Sequence, residues 1–165
     1  MVCEDSMPGL TFQSEKLTHL ADEIRPLIEL HWCENADNRD KVPLEPDWDG
    51  YRRLEDRGAL EFLAVRSKGK LVGYYSSFVL CHPHYRNTLF SFVDMYYLLP
   101  EYRNAANGIR IFDEYEKEMR VRMLAEGRKK MVLIGRARLK HNAGPLLERL
   151  GWKPVEMAYS KLIEA

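Results

Sequence analysis

Apolar residues in the first third of the chain recur at helical spacing. Leu17, Leu20, Ile24, Leu27, Ile28 and His31 fall three or four apart and define one buried helix face. Ser14 stands ahead of them as a cap, and Pro26 is expected to kink or split the helix. Residues 34–46 are polar, carry Pro43 and Pro46, and read as a loop. Residues 47–57 form a second short helix with Trp48, Tyr51 and Leu54 inward and Gly58 as its stop. The period then changes. Residues 60–66 and 70–80 are strands joined by a turn at 67–69, and 81–87 is a loop. Residues 89–99 are a third strand ended by Pro100. A long helix starts near Asn107, with Ile109, Phe112, Tyr115, Met119 and Met123 on its inner face and Gly127 closing it. Residues 130–135 form a short strand, 144–150 a short helix ending at Gly151, and 154–162 a last strand. A further strand near 10–13 precedes the first helix. The order β-α-α-β-β-β-α-β-α-β predicts an α/β fold with a mixed, mostly antiparallel sheet flanked by helices and one parallel crossover late in the chain.

Composition narrows the class. The 165 residues, 45% apolar and 30% charged, suit a single globular domain spanning 1–165. Apolar runs fall far short of the roughly 20 residues that cross a bilayer, and the acidic N-terminus lacks a secretory pattern, so a cytoplasmic protein is expected. Cys3, Cys33 and Cys81 are an odd set without CxxC spacing and read as reduced thiols. His19, His31 and His141 have no partner pattern and read as packing or surface histidines. Zero net charge argues against nucleic-acid or membrane partners, but it hides a gradient. Residues 1–65 carry 7 basic and 15 acidic groups, whereas residues 101–140 carry 11 and 6. That asymmetry fits an anionic ligand on the basic segment and a cationic one on the acidic segment; solvated helix faces would produce it too.

The densest chemistry lies between Leu98 and Arg110. A strand ends, small residues turn the chain, and a helix begins, so unpaired N–H groups and the positive helix end face one point. Ala105, Ala106 and Gly108 let the backbone approach an anion, with Arg103 and Arg110 nearby to add charge. No GKS/T and no GxGxxG is present, which disfavours Walker-type and Rossmann-type nucleotide sites. Asp94 is a carboxylate in an otherwise apolar strand (Phe90, Phe92, Val93, Met95) and wants a reason. Either it is a general base or amine anchor, or it is a structural carboxylate paired with an arginine or tyrosine. Alternation places Asp94, Tyr96 and Leu98 on one face. His84, and after it His82, are rival bases in the 81–87 loop. Cys81, His82 and His84 lack the separated ligand pairs of a structural zinc site, and no metal is expected.

The segment 103–108, R-N-A-A-N-G, resembles motif A of the GNAT-family N-acetyltransferases, Q/R-x-x-G-x-G/A, with Ala106 replacing the first glycine. Lys70-Leu71-Val72-Gly73, Leu98-Leu99-Pro100-Glu101-Tyr102-Arg103 and Leu147-Glu148-Arg149-Leu150-Gly151-Trp152 resemble further stretches of that family, and the element order agrees. His84-Tyr85, Asp94 and Arg103 with Gly108-Ile109-Arg110 look most like members encoded by bacteriophages and prophages, which would place the protein in a host cytoplasm.

The resemblance implies a GNAT-like fold and acetyl transfer from acetyl-CoA, as co-substrate, to a primary amine in a ternary complex. The acceptor would be a small molecule or a protein lysine, and such folds often form homodimers. Leu98, Leu99, Arg103, Asn104, Ala105, Ala106, Asn107, Gly108, Ile109 and Arg110 would make up the cofactor side. The pyrophosphate would sit on N–H groups of 104–109, with the pantetheine arm along main-chain groups near Tyr96 and Leu98. An N–H near Leu98 would stabilise the oxyanion. The base would be Asp94, or else His84. Many family members place a general-acid tyrosine where this chain has Leu147; Tyr97, Tyr96 and Tyr159 are conceivable replacements, water or no acid at all would also serve, and the acid stays unassigned. That gap keeps open a second class, a CoA-binding interaction protein with little or no turnover.

Overall fold

The computed structural model describes residues 9–138 and 142–164, so Cys3 and His141 lie outside the described residues. Two compact units divide the chain, Met1–Gly135 and Arg136–Ala165. The first holds β1 (Thr11–Ser14), α1 (Leu17–Asn35), α2 (Trp48–Asp56), β2 (Leu60–Ser67), β3 (Lys70–Cys81), β4 (Thr88–Leu98), α3 (Ala105–Ala125) and β5 (Lys130–Ile134). The five strands form one sheet in sequence order. The first four pair antiparallel, and β5 runs parallel to β4 after the α3 crossover. This is the mixed, mostly antiparallel α/β sheet that the hydrophobic pattern predicts.

Opposite faces of the sheet carry different helices. Leu17, Leu20, Ile24, Leu27 and Ile28 of α1 bury against Leu60, Phe62, Ala64, Leu71, Tyr74 and Tyr97, with Trp48, Tyr51 and Leu54 of α2 packed alongside. On the other face Tyr115 of α3 stacks on Tyr75, ring centroids 4.0 Å apart, and its hydroxyl reaches Ser91 at 2.6 Å and also Ser77. Burial pushes the Tyr115 hydroxyl pKa up to about 12.

Three local expectations give way to packing. Helix α1 runs unbroken through Pro26, which sits on the exposed side. The carbonyl that proline leaves without a donor therefore faces water, while Ile24, Leu27 and Ile28 hold the helix down. Ser14 ends β1 instead of capping α1; the cap residue is Lys16, and the Leu17 N–H is taken by the Glu55 carboxylate of α2. Helix α3 starts at Ala105, two residues earlier than the apolar spacing suggests, because Asn104 caps it.

The second unit contains α4 (Gly144–Arg149), whose Leu147 is buried. The strand expected at 154–162 is not formed: Val155, Met157 and Tyr159 alternate as a strand would, yet all three are exposed. Period-2 spacing qualifies a segment as a strand, but a strand exists only with a hydrogen-bonded neighbour. No helix among the described residues is long and apolar enough to cross a membrane.

Candidate active site

Two irregularities in β4 create the site. Strand β5 pairs with β4 only from Thr88↔Lys130 to Phe92↔Ile134, so the second half of β4 runs on without a β5 partner. At that point the β3–β4 register slips: Ser77 faces Val93 and Ser76 faces Met95, leaving Asp94 as the extra residue of a β-bulge. Bulges bend a strand and re-aim its side chains.

The bulge corrects the face assigned to Asp94. Tyr96 lies under α3, stacked on Tyr75 at 6.1 Å and edge-on to Phe112 at 5.3 Å. Asp94 belongs to the opposite face, where burial and then the Asp94 charge raise the pKa of both the Tyr51 and Tyr74 hydroxyls. Strict alternation fails because one residue is inserted between Val93 and Met95.

Past the bulge the edge becomes regular. Leu99 donates its N–H to the Val72 carbonyl at 2.9 Å, so the Leu98 N–H and C=O, one position back, point away from β3. The same alternation turns the main-chain groups of Tyr96 outward. Gly73 permits this approach of β3 and β4: a Cβ there would stand 2.6 Å from the Tyr97 carbonyl oxygen and 3.1 Å from the Leu98 Cα. A short 3-10 turn, Pro100–Tyr102, then leads into α3. The Asn104 side chain accepts the Asn107 N–H at 2.9 Å, and the Asn107 amide donates to the Tyr102 carbonyl at 2.8 Å. The loop is thereby fixed with Asn104, Ala105 and Ala106 exposed and the first-turn N–H groups of Ala105 and Ala106 beyond intrahelical reach. Gly108 and Ile109 are half-buried behind them.

The two arginines face elsewhere. Arg110 donates to the Leu10 carbonyl at 2.9 Å and covers the Phe12 ring at 4.8 Å. Arg103 donates through Nε to the Leu98 carbonyl at 2.6 Å, and its Nη2 lies 2.9 Å from both Glu34 carboxylate oxygens. The Tyr97 hydroxyl donates to the same carboxylate at 3.2 Å. Burial, and then the charge of Glu34, raise the Tyr97 pKa. The Tyr97 ring stacks on His31 at 5.2 Å, and His31 Nδ1 is 2.8 Å from the Tyr74 hydroxyl. Tyr51, Tyr74, His31 and Tyr97 thus form a polar-tipped aromatic row on the α1/α2 face, with Asp94 at one end and Glu34 at the other.

His31 and Glu34 border this row, and the sequence reading did not join them to it. Each belongs to α1, some sixty residues before β4 in the chain, and only their helical positions facing the sheet end hint at them. His84 is not brought to this wall. It sits in the β3–β4 loop, near His82 at 5.2 Å, and the β4 stretch from Thr88 to Asp94 is about 20 Å long. Tyr159 is exposed in the second unit.

No protein-family model matches the chain, and no curated protein sequence does. Solved structures do match. A ribosomal-protein-alanine N-acetyltransferase from Brucella melitensis biovar Abortus 2308 superposes with TM-score 0.68 at 20% identity, over 94% of this chain and 99% of that one. A GCN5-related N-acetyltransferase from Ralstonia eutropha JMP134 gives 0.66 at 16%, over 93% and 99%. A predicted acetyltransferase with acetyl-CoA from Clostridium acetobutylicum gives 0.63 at 10%, over 93% and 96%. The β4 that parts from β5 at a bulge and feeds a capped helix therefore lies within the fold of the GCN5-related N-acetyltransferases.

Proposed function

We propose that the protein is an N-acetyltransferase that moves an acetyl group from acetyl-CoA to a primary amine, both held at once. The observation that carries the reading is the open edge of β4, which joins an outward Leu98 N–H to the exposed N-terminus of α3 within ten residues. These groups suit acetyl-CoA: a strand edge for an amide-bearing arm, and first-turn N–H groups with a helix dipole for a pyrophosphate. Acetyl-CoA supplies an activated thioester when bound.

The chain's own residues do the rest. Ala105 and Ala106 hold phosphate oxygens through N–H groups, and Asn104 and Asn107 keep that turn in shape. The Leu98 N–H is a fixed donor for a carbonyl oxygen brought to the edge, and it needs no reorganisation to act. An alkylammonium with pKa near 10.4 must lose a proton before it can attack. Asp94, re-aimed by the bulge onto the α1/α2 face, takes that proton directly or through a water. Tyr97 is a hydroxyl of the same strand that can return one, and its raised pKa keeps it protonated near neutrality.

Calorimetry with acetyl-CoA tests the cofactor side. Micromolar binding by the wild type, lost in Gly108→Glu, is the expected result. Turnover of an amine panel then tests transfer. A second reading, a CoA-binding protein without turnover, rests on Leu147, a buried hydrocarbon where a family tyrosine would supply the acid. Tight acetyl-CoA binding with no acetylated product, and no effect of Asp94→Asn, would establish that second reading.

A further inference from the structure

Asp94 separates two kinds of surface on the α1/α2 face of the sheet. Towards the carboxyl end of β4 lies the polar-tipped aromatic row. Towards the amino end the strand carries Phe92 and Phe90, whose side chains are pure hydrocarbon. These two share a face with Phe78 and Leu80, their partners on β3, whereas Ser91 between them turns its hydroxyl to Tyr115 of α3. Strand β5 sets Ile134 beside Phe92 and Val132 beside Phe90.

The helices cover only part of this face. Phe78 packs against the α1 core, but Leu80 is 41% exposed, Val132 likewise, and Phe90 and Phe92 are half-buried. The rings follow one another: Phe92 stacks on Phe90 with centroids 6.1 Å apart, and Phe90 meets Tyr85 at 5.4 Å and His82 at 5.3 Å. From Asp94 to Phe90 the strand covers about 13 Å. A contiguous apolar strip marks an interaction site, whereas apolar side chains scattered singly on a surface do not.

The chemistry of the strip selects what rests on it. A carboxylate at its head attracts an ammonium group. Beyond it a polar body would lose water without finding a hydrogen-bonding side chain, whereas a hydrocarbon is favoured by each methylene covered. The main-chain groups of β4 in this stretch are paired on both sides, to β3 and to β5, so an extended peptide has no edge to join. We propose that the strip is the floor for the body of the acceptor, and that the acceptors are primary amines carrying an extended hydrocarbon chain. The amine stands at Asp94 and the chain lies over Phe92 and Phe90. The proposal rests on the acetyltransferase reading above and adds to it an acceptor class.

Linear alkylamines test it. Two strand residues span about 6.6 Å, close to five carbon–carbon steps, so hexylamine reaches Phe92 and decylamine reaches Phe90. With acetyl-CoA as donor, kcat/KM should rise roughly twofold per methylene from butylamine to decylamine, half the free energy of full burial because the floor covers one side of the chain. Phe90→Ser should remove the rise from octylamine to decylamine while a rise to hexylamine persists. Val132→Glu, at an exposed position beside Phe90, should give the same break and replaces Phe90→Ser if that variant does not fold. A purely structural role would lower all the amines together. A flat series overturns the proposal, and so does a rise that neither substitution interrupts. Decyltrimethylammonium, which cannot be acetylated, separates the strip from turnover. By calorimetry it should bind the wild type roughly tenfold or more tighter than butyltrimethylammonium, an advantage lost in Val132→Glu. Equal affinity for the two overturns the proposal. Failure to bind acetyl-CoA with the decyl preference intact would instead remove the acetyltransferase reading.

Discussion

Asp94 shows how far a single residue can be read before its neighbours are known. A carboxylate among Phe90, Phe92, Val93 and Met95 is legible as an anomaly from the sequence. Which face it takes is not legible, because the bulge depends on how Ser76 and Ser77 of another strand line up with it. His31 and Glu34 were hidden for the same reason, since their partners Tyr74, Tyr97 and Arg103 are more than forty residues away. If Asp94 is the base, Asp94→Asn should lower kcat roughly 10²–10³-fold with acetyl-CoA affinity unchanged, while His84→Gln should stay close to wild type. Initial rates across an amine panel, with calorimetry beside them, would check both. Tyr115 gives a prediction for stability. Its folded pKa of about 12 lies above the ordinary tyrosine value, so the stability it contributes is complete below pH 10 and declines as pH rises from 10 towards 12. Urea unfolding at pH 8 and pH 11 should show that loss, and Tyr115→Phe should lessen it without abolishing it, since Tyr51, Tyr74 and Tyr97 are raised as well; the substitution should cost about 1–3 kcal/mol at pH 8, because Ser77 and Ser91 lose their partner.

At the scale of elements, strands and helices were legible wherever one element carried its own pattern. Strands β2 to β5 and helices α1 to α3 appear within one or two residues of the expected limits, set by period, Gly58, Pro100 and Gly127. What failed depended on partners. Residues 154–162 alternate correctly and form no strand, and α1 absorbs Pro26 because the sheet holds its buried face. The junction of β4 with α3 makes the element-level prediction. Asn104 caps the helix by one hydrogen bond to the Asn107 N–H, and Gly73 lets β3 reach the β4 backbone behind it. Asn104→Ala should cost about 1 kcal/mol, and Asn104→Asp should retain the cap. Gly73→Val forces the Tyr97–Leu98 backbone aside and should cost roughly 1–3 kcal/mol. Denaturant midpoints give the energies. Acetyl-CoA affinity should fall further in Gly73→Val than in Asn104→Ala if the β4 edge and the helix end act as one surface.

For the whole molecule, the proposed function assigns its two ligands to different sides of the sheet. The β4–β5 pair is the parallel part of the sheet, and the chain enters α3 from the carboxyl end of β4, where sheets of this kind present ligands. Helices α1 and α2, with the loop between them, supply most of the acidic excess of residues 1–65, and they cover the face that carries Asp94 and Tyr97. Part of that charge is spent internally: Glu15 and Glu23 bind Arg66 at 2.7 and 2.8 Å. Much of the remainder, including Asp37, Asp40 and Glu45, is on exposed positions in the α1–α2 region. Exposed charges act over about 10 Å at 0.1 M salt, so their field should steer a cationic acceptor and be screened as salt rises. The expected result is a kcat/KM for a cationic amine that falls several-fold between 50 and 500 mM salt, on the order of what screened surface charges produce. A neutral aromatic amine of similar size should change little under the same conditions, which separates steering from any effect of salt on acetyl-CoA. Parallel slopes for the two amines would show that the acidic face plays no part in acceptor capture, and would leave recognition to the few groups that line the aromatic row.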